Sequence, residues 1–583
     1  MPKVDPITFA VVRNRLISIA NGMIETAAHC GVSSFLSTIM DCSFAILDAE
    51  GGIIAQSEKG ILLFLSSSSP ATRSCIDFIG RENIEPGDII ISTVPEFTGN
   101  HTSDAVLFTP IFFNDILFGY ATTKAHWQDV GAKNTYPTDA VNIYEEGLRI
   151  PPVKLYKRGE LQSGILDIIK YNSRAPEQVW GDIQAQIAGC HFGQKQVTEL
   201  LEKYGIEIIK ACIKEMYDHS ERITRQAIEK IPDGTWTAED FIDSNGINLD
   251  TPIITRVTVT VKGSDIIIDF TGSGPEQPAP MNGLWVTTLS AARMAVKALT
   301  SPELPANEGS NRPVTVIAPS GCIYNAGPDA PCFLCGNVAS TILELVNKAM
   351  YKVLPERVPA CSGGDVCGIG FFGVDPGTGK HWATLSSASI GNGADFREDG
   401  DNFAAHHSIA GAAGSQGDSI ELKEASFPLM IEKYELVTDS GGAGKHRGGL
   451  GSRMQIKILS PANLFAFIEK GKAPHWGIDG GGEGLRNYSV IKPVGEEESE
   501  VLKTSGMQLQ AGTTVTAIAG GGGGYGNPLE KDIEEVQRDV INGYVSVERA
   551  RDDYGVAIDA RSYEIDIVTT RKLRGVSRSH LSG

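Results

Sequence analysis

The sequence is poor in the features that would give its function away. No run approaches the roughly 20 apolar residues of a membrane span, and Met1-Pro2-Lys3-Val4-Asp5 does not open a signal peptide. Ten cysteines in 583 residues are too few for a disulfide framework. Basic residues fall short of acidic ones, 51 against 71, for a formal net charge of −20. That balance argues against nucleic acid or an anionic membrane as partner, since both need basic patches. No GxxxxGK[ST] loop is present, and no GxGxxG stands between a clear strand and helix. If ATP is used, a partner should bind it. These absences point to a reduced, cytoplasmic protein.

Glycine is abundant instead: 65 residues, about 11% against a usual 7% or so. They cluster late, at Gly441-Gly442, Gly448-Gly449, Gly480-Gly481-Gly482 and Gly520–Gly524. Such clusters mark positive φ or close approach of another group.

Hydrophobic residues at 41% and charged residues at 21% suit a globular chain of three or four packed units. Asp5-Pro6 reads as a helix start. Short strand-like runs with turns follow from Asp41, and helical spacing dominates from Gly181 to Ile231. Ile253–Phe270 alternates like a hairpin turning at Lys262-Gly263-Ser264. Helices are expected near Thr287–Leu299 and Val338–Val353, and two short ones near 529–555, the second capped by Ser546. The class is α+β, multi-domain, with segregated strands and helices and Gly-rich loops. The units are placed at 1–180 (α+β, with the candidate metal site), 181–240 (helical), 241–360 (α+β) and 361–583 (Gly-rich, β-rich, with terminal helices).

The best local chemistry is His101-Thr102-Ser103-Asp104 together with His126-Trp127-Gln128-Asp129. Two imidazoles and one or two carboxylates suit Zn²⁺, Mn²⁺ or Fe²⁺, and Asp41 adds a further carboxylate. From spacing alone, the same residues also read as turn caps or core hydrogen bonders. Cys332-Phe333-Leu334-Cys335 lacks a second pair and reads as buried free thiols. His406-His407 and the run Asp395–Asp399 read as solvated loop.

Taken together, these stretches resemble the hydantoinase B / 5-oxoprolinase family. The likeness runs through Asp41-Cys42-Ser43, His101…Asp104, His126…Asp129-Val130-Gly131, Glu145–Pro152, Gly181-Asp182, Asn307-Glu308-Gly309, Asp439–Gly444, Arg447-Gly448-Gly449 and Gly520–Pro528. It implies a B-type subunit that works beside an ATP- and Mg-using hydantoinase A-type partner in a hetero-oligomer. It also implies Asp41, His101, Asp104 and His126 as ligands of a divalent metal. Asp129 would orient His126 or act as a base, and Lys133 or Arg149 would face an oxyanion. Trp127, the Leu62–Ser67 stretch and Ala132–Asp139 depart from the hydrolytic pattern towards apolar and aromatic residues. His126–Lys133 and Asn172–Glu177 look more like the acetone and acetophenone carboxylase branch. The expected activity is therefore carboxylation of a phosphorylated enol from a small ketone and bicarbonate. The alternatives are hydrolysis of a lactam, hydantoin or 5-oxoproline, and a non-catalytic scaffold subunit.

Overall fold

A computed structural model describes residues 4–364, 367–405 and 419–580. His406 and His407 lie outside these residues. Asp5 caps the first helix, Pro6–Cys30, accepting from the amides of Ile7 and Thr8, with Pro6 at the position where a missing N–H costs nothing.

The first sheet has seven strands: β1 (Cys42–Asp48), β2 (Ile53–Gln56), β3 (Ile89–Ser92), β4 (Asp104–Phe113), β5 (Ile116–His126), β6 (Val153–Lys157) and β7 (Glu160–Leu161). Their order is β2-β1-β5-β4-β3-β6-β7, with antiparallel neighbours throughout. Both faces of its centre are covered. Phe44, Ile46, Leu107 and Ala125 join a core with the helices Pro6–Cys30, Pro176–Tyr204 and Ile206–Ile228. Ala45, Leu47, Val106 and Phe108 face the other way, against the helix Leu62–Ile79. The helical stretch expected as a unit of its own therefore shares its core with the first sheet.

The helix Leu62–Ile79 stands where only short strands and turns were expected. Its serine run and Pro70 hide it, because serine competes with the helix for backbone partners. In place, Ser67 and Ser68 both donate to the Phe64 carbonyl one turn back, and packing overrides propensity.

A second sheet, ordered Val314–Ile317, Asp265–Asp269, Ile253–Lys262, Gly234–Ile242, contains the expected hairpin, with Lys262 opposite Asp265. The helices Trp285–Thr300 and Cys335–Met350 pack on it. Two further sheets, of four and five strands, enclose one apolar core that includes Ile369, Phe371, Ile456 and Val515. The helices Ile533–Ile541 and Val547–Asp552 follow, with Ser546 capping the second.

The glycine clusters are brought together here. None of Gly520–Gly524 takes a positive φ; their role is close approach. Gly522 accepts from the amide of Gly442 and donates to Gly449, while Gly523 donates to Cys361 and Gly524 to Gly482. A Cβ on Gly522 would meet the Asn392 carbonyl oxygen, and one on Gly448 the Gly522 oxygen, each well under 3.0 Å. Backbone packs on backbone with no room for a methyl group.

Gly522→Ala is therefore expected to cost at least about 3 kcal/mol, the upper range for forced overpacking. Gly164→Ala, in a helix with nothing within 4 Å of its Cβ position, is expected to stabilise by up to about 1 kcal/mol. Thermal midpoints of the two variants check both signs.

Candidate metal centre

β4 and β5 pair with Asp104 opposite His126. Both side chains lie on the face of the sheet that carries Lys124 and the helix Leu62–Ile79, so His126 Nδ1 comes 3.0 Å from Asp104 Oδ1. Before β4, the chain turns at Gly99, whose φ is 82°. A side chain there would strike Val286. The turn closes with the Asp104 amide donating to the His101 carbonyl at 2.9 Å and brings His101 Nε2 to 3.6 Å from Asp104 Oδ2. Asp41 arrives from the start of β1, its carbonyl accepting from the His126 amide. The turn leading to it is held by Asp182, which accepts from the amides of Val32 and Ser33 at 2.9 and 3.0 Å.

His101, Asp104 and His126 offer ligand atoms within 4.8 Å of one another. Asp41 lines the same cavity, of about 570 Å³, beside that trio. The walls are apolar: Phe333 stacks on His101 with centroids 4.7 Å apart, and Tyr136 lies between His126 and Phe465 at 6.0 and 4.2 Å.

Burial pulls the His101 imidazole down to about 4, against the pull of Asp104, which keeps it neutral and able to coordinate. Burial also pulls on His126, but its bond to Asp104 and the Asp41 carboxylate hold it above the ordinary value. Burial alone would raise Asp104; the His101 and His126 imidazoles and the Lys124 ammonium reverse this and keep it ionised. Burial lifts Asp41 to about 7 and lowers Lys124 to about 8. His101 Nδ1 is buried with no partner. The donor set itself, two imidazoles and a carboxylate converging in one buried place, fits a borderline divalent ion.

The other three candidates do not join this cluster. Asp129 is bound by the Arg174 guanidinium and amide and by Ser173, so it neither orients His126 nor stands free as a base. It lines a separate groove with Gln128 and Arg174. Lys133 pairs with Asp139 and Glu145 at 3.0 and 2.8 Å. Arg149 pairs with Asp329 and stacks on Tyr144. Trp127 points to the opposite face of the sheet, where its indole donates to Gln186. It adds nothing to the cavity wall, whereas Leu63, Phe64 and Tyr136 do. The acidic run is in part tied down, with Asp399 paired to Lys531 at 2.9 Å.

Cys332 and Cys335 are buried free thiols, as expected, and burial raises both. Their segment matters for another reason. Glu146, fully buried, accepts from the amides of Cys332 and Phe333 at 2.6 and 2.8 Å, clipping the Phe333 ring over His101. The Glu145-Glu146-Gly147 stretch stood out in the sequence, but nothing there said that one of its carboxylates is buried. Burial lifts Glu146 to about 8, the two amides working against it. The native state therefore keeps a proton that the unfolded chain releases, and stability falls as pH rises from the ordinary carboxylate range to about 8. Glu146→Gln is expected to flatten this fall, so that its thermal midpoint declines less than wild type between about pH 5 and pH 8. Parallel slopes would show the carboxylate already ionised.

The chain is 33% identical to the beta subunit of the caprolactamase of Pseudomonas jessenii, over 98% of this chain and 100% of that protein. It is 31% identical to the B-type subunit of a putative D-/L-hydantoinase of Pseudomonas sp. (strain NS671), over 99% of each. The crystal structure of the ATP-dependent caprolactamase from Pseudomonas jessenii matches with a TM-score of 0.90 at 30% identity, covering 98% of this chain and 100% of that one. A nucleotide-free acetone carboxylase chain matches with a TM-score of 0.87 at 21% identity, covering 99% and 83%; that likeness shows a shared fold. A family match extends over residues 5–528, and the chain belongs to the hydantoinase B/oxoprolinase family.

Proposed function

We propose that this chain is the B-type subunit of an ATP-dependent cyclic-amide hydrolase, working in the cytoplasm beside an ATP- and Mg-using A-type partner. The observation that carries the reading is the His101–Asp104–His126 trio, with Asp41 beside it, lining a cavity of about 570 Å³. The relatives that match at 31–33% identity over full length are named for caprolactam and hydantoin, which moves the balance from ketone carboxylation to ring hydrolysis.

His101, Asp104 and His126 would hold a divalent ion, Zn²⁺, Mn²⁺ or Fe²⁺. Such an ion, when bound, acidifies water and polarises a carbonyl. Asp41, in the same cavity beside the trio, offers a carboxylate that takes a proton from the attacking water and returns it to the departing ring nitrogen. Phe64, Tyr136 and Phe333 exclude bulk water and offer flat apolar surface to a ring. Nine of the ten free thiols are buried, in keeping with a reducing compartment. No helix among the described residues is long and apolar enough to cross a membrane.

Carboxylation is the second reading, favoured by those same apolar walls, which suit a reactive phosphate or carboxylate intermediate. The co-expressed complex, given ATP and ε-caprolactam, hydantoin or 5-oxoproline, is expected to release the ring-opened acid without bicarbonate. Labelled bicarbonate entering an acid-stable product from acetone or acetophenone would replace this reading with carboxylation.

Elemental mass spectrometry is expected to find near-stoichiometric metal in wild type and none in His126→Ala. Turnover in that variant should fall by at least about 100-fold. No metal in either protein would point to a scaffold subunit.

A further inference from the structure

With Lys133 and Arg149 paired elsewhere, the charge that gathers on an attacked carbonyl oxygen has no donor among the residues the sequence brought forward. The loop delivering His101 contains one. Asn100 is 2% exposed and lines the cavity with His101, Asp104 and His126. The Lys124 ammonium lies 2.7 Å from its side-chain Oδ1, and Thr287 Oγ1 lies 3.2 Å from the same atom.

That contact fixes which end of the amide is which. A lysine nitrogen with three donors and no acceptor must face the oxygen, so the NH₂ group occupies the opposite side of the amide plane. Lys124 also donates to Ser67 Oγ at 2.9 Å and to the Thr98 carbonyl at 2.7 Å, and its three donors are used. Among the described residues, no carboxylate touches it. An ammonium buried among neutral partners is costly, and three hydrogen bonds hold this one in a fixed place. Among the described residues, no acceptor takes up Asn100 Nδ2, and this nitrogen is not among the sealed, orphaned atoms. It faces the cavity.

We infer that Asn100 Nδ2 donates a hydrogen bond to the oxygen carried by the substrate carbon under attack, and that Lys124 is the positioning residue that turns this donor into the cavity. The inference rests on the hydrolase reading for its substrate, a small cyclic amide. Asn100 keeps its proton throughout; it stabilises the charge that moves onto oxygen as the nucleophile's electron pair forms the new bond to carbon. A donor fixed beforehand needs no reorganisation at that moment, which is why such groups act mainly on kcat.

The test uses two variants in the assembled complex. Asn100→Asp keeps an oxygen for Lys124 and removes the donor; Asn100→Ala removes both. Both are expected to lower kcat by about 10²–10³-fold, with KM, metal content and thermal midpoint of Asn100→Asp close to wild type. A kcat for Asn100→Asp within about threefold of wild type would overturn the inference and leave the hydrolase reading standing. If wild type opens no cyclic amide, that reading fails by itself, and the donor is judged by calorimetric binding of methylphosphonate, a tetrahedral oxyanion. Affinity at least about tenfold weaker in Asn100→Ala supports the donor; equal affinity, or no binding by wild type, overturns it.

Discussion

Asp104 and His126 meet because β4 and β5 pair in one register, and the rest of the site is arranged around that pairing. Side chains alternate along a strand, so a slip of one residue would turn Asp104, Lys124 and His126 into the helical core on the other face. The register is held by apolar residues on both faces. Leu107 and Ala125 are buried against the helices that start at Pro6 and Pro176, while Val106 and Phe108 are buried on the second face. A sheet covered on both sides specifies its register twice. The hairpin can therefore carry three charged groups at its end without losing alignment.

The electrostatics follow from the same burial. Asp104 stays ionised because two imidazoles and one ammonium converge on it. Asp41 and Glu146, with less help, are pushed up to about 7 and about 8. Three carboxyl groups in one apolar neighbourhood thus end in different proton states, and the difference comes from their partners. Asp104 suits a ligand, Asp41 a further carboxylate beside it, and Glu146 a buried clip that keeps Phe333 over His101.

Local signals in the sequence carried far. The Asp5 cap, the hairpin around Gly263, the helices before residues 300 and 350 and the Ser546 cap are all set by neighbours in the chain, and each is found. His101, Asp104 and His126 are found together because their side-chain types are rare enough in one short stretch to be conspicuous. Asp129, Lys133 and Arg149 come from the same stretch, but their partners, Arg174, Glu145 and Asp329, cannot be read from spacing. Trp127 stood out as an aromatic departure from the hydrolytic pattern, but it faces Gln186, since strand parity sends it to the far side. Asn100 went unnoticed: an asparagine beside a glycine reads as a turn until Lys124 is seen to fix its amide.

The glycine packing has a consequence for biosynthesis. It joins residues near 361, 392, 442, 449, 482 and 522 through main-chain hydrogen bonds, and Gly520–Gly524 touch nearly every other member. The ribosome must therefore add some 160 residues after Cys361 before this packing can close. At 5–20 residues per second that is on the order of ten seconds or more. The first sheet and its helices, complete by Ile228, can fold during that interval. The last sheets must wait for nearly the whole chain, their strand edges open meanwhile to other chains.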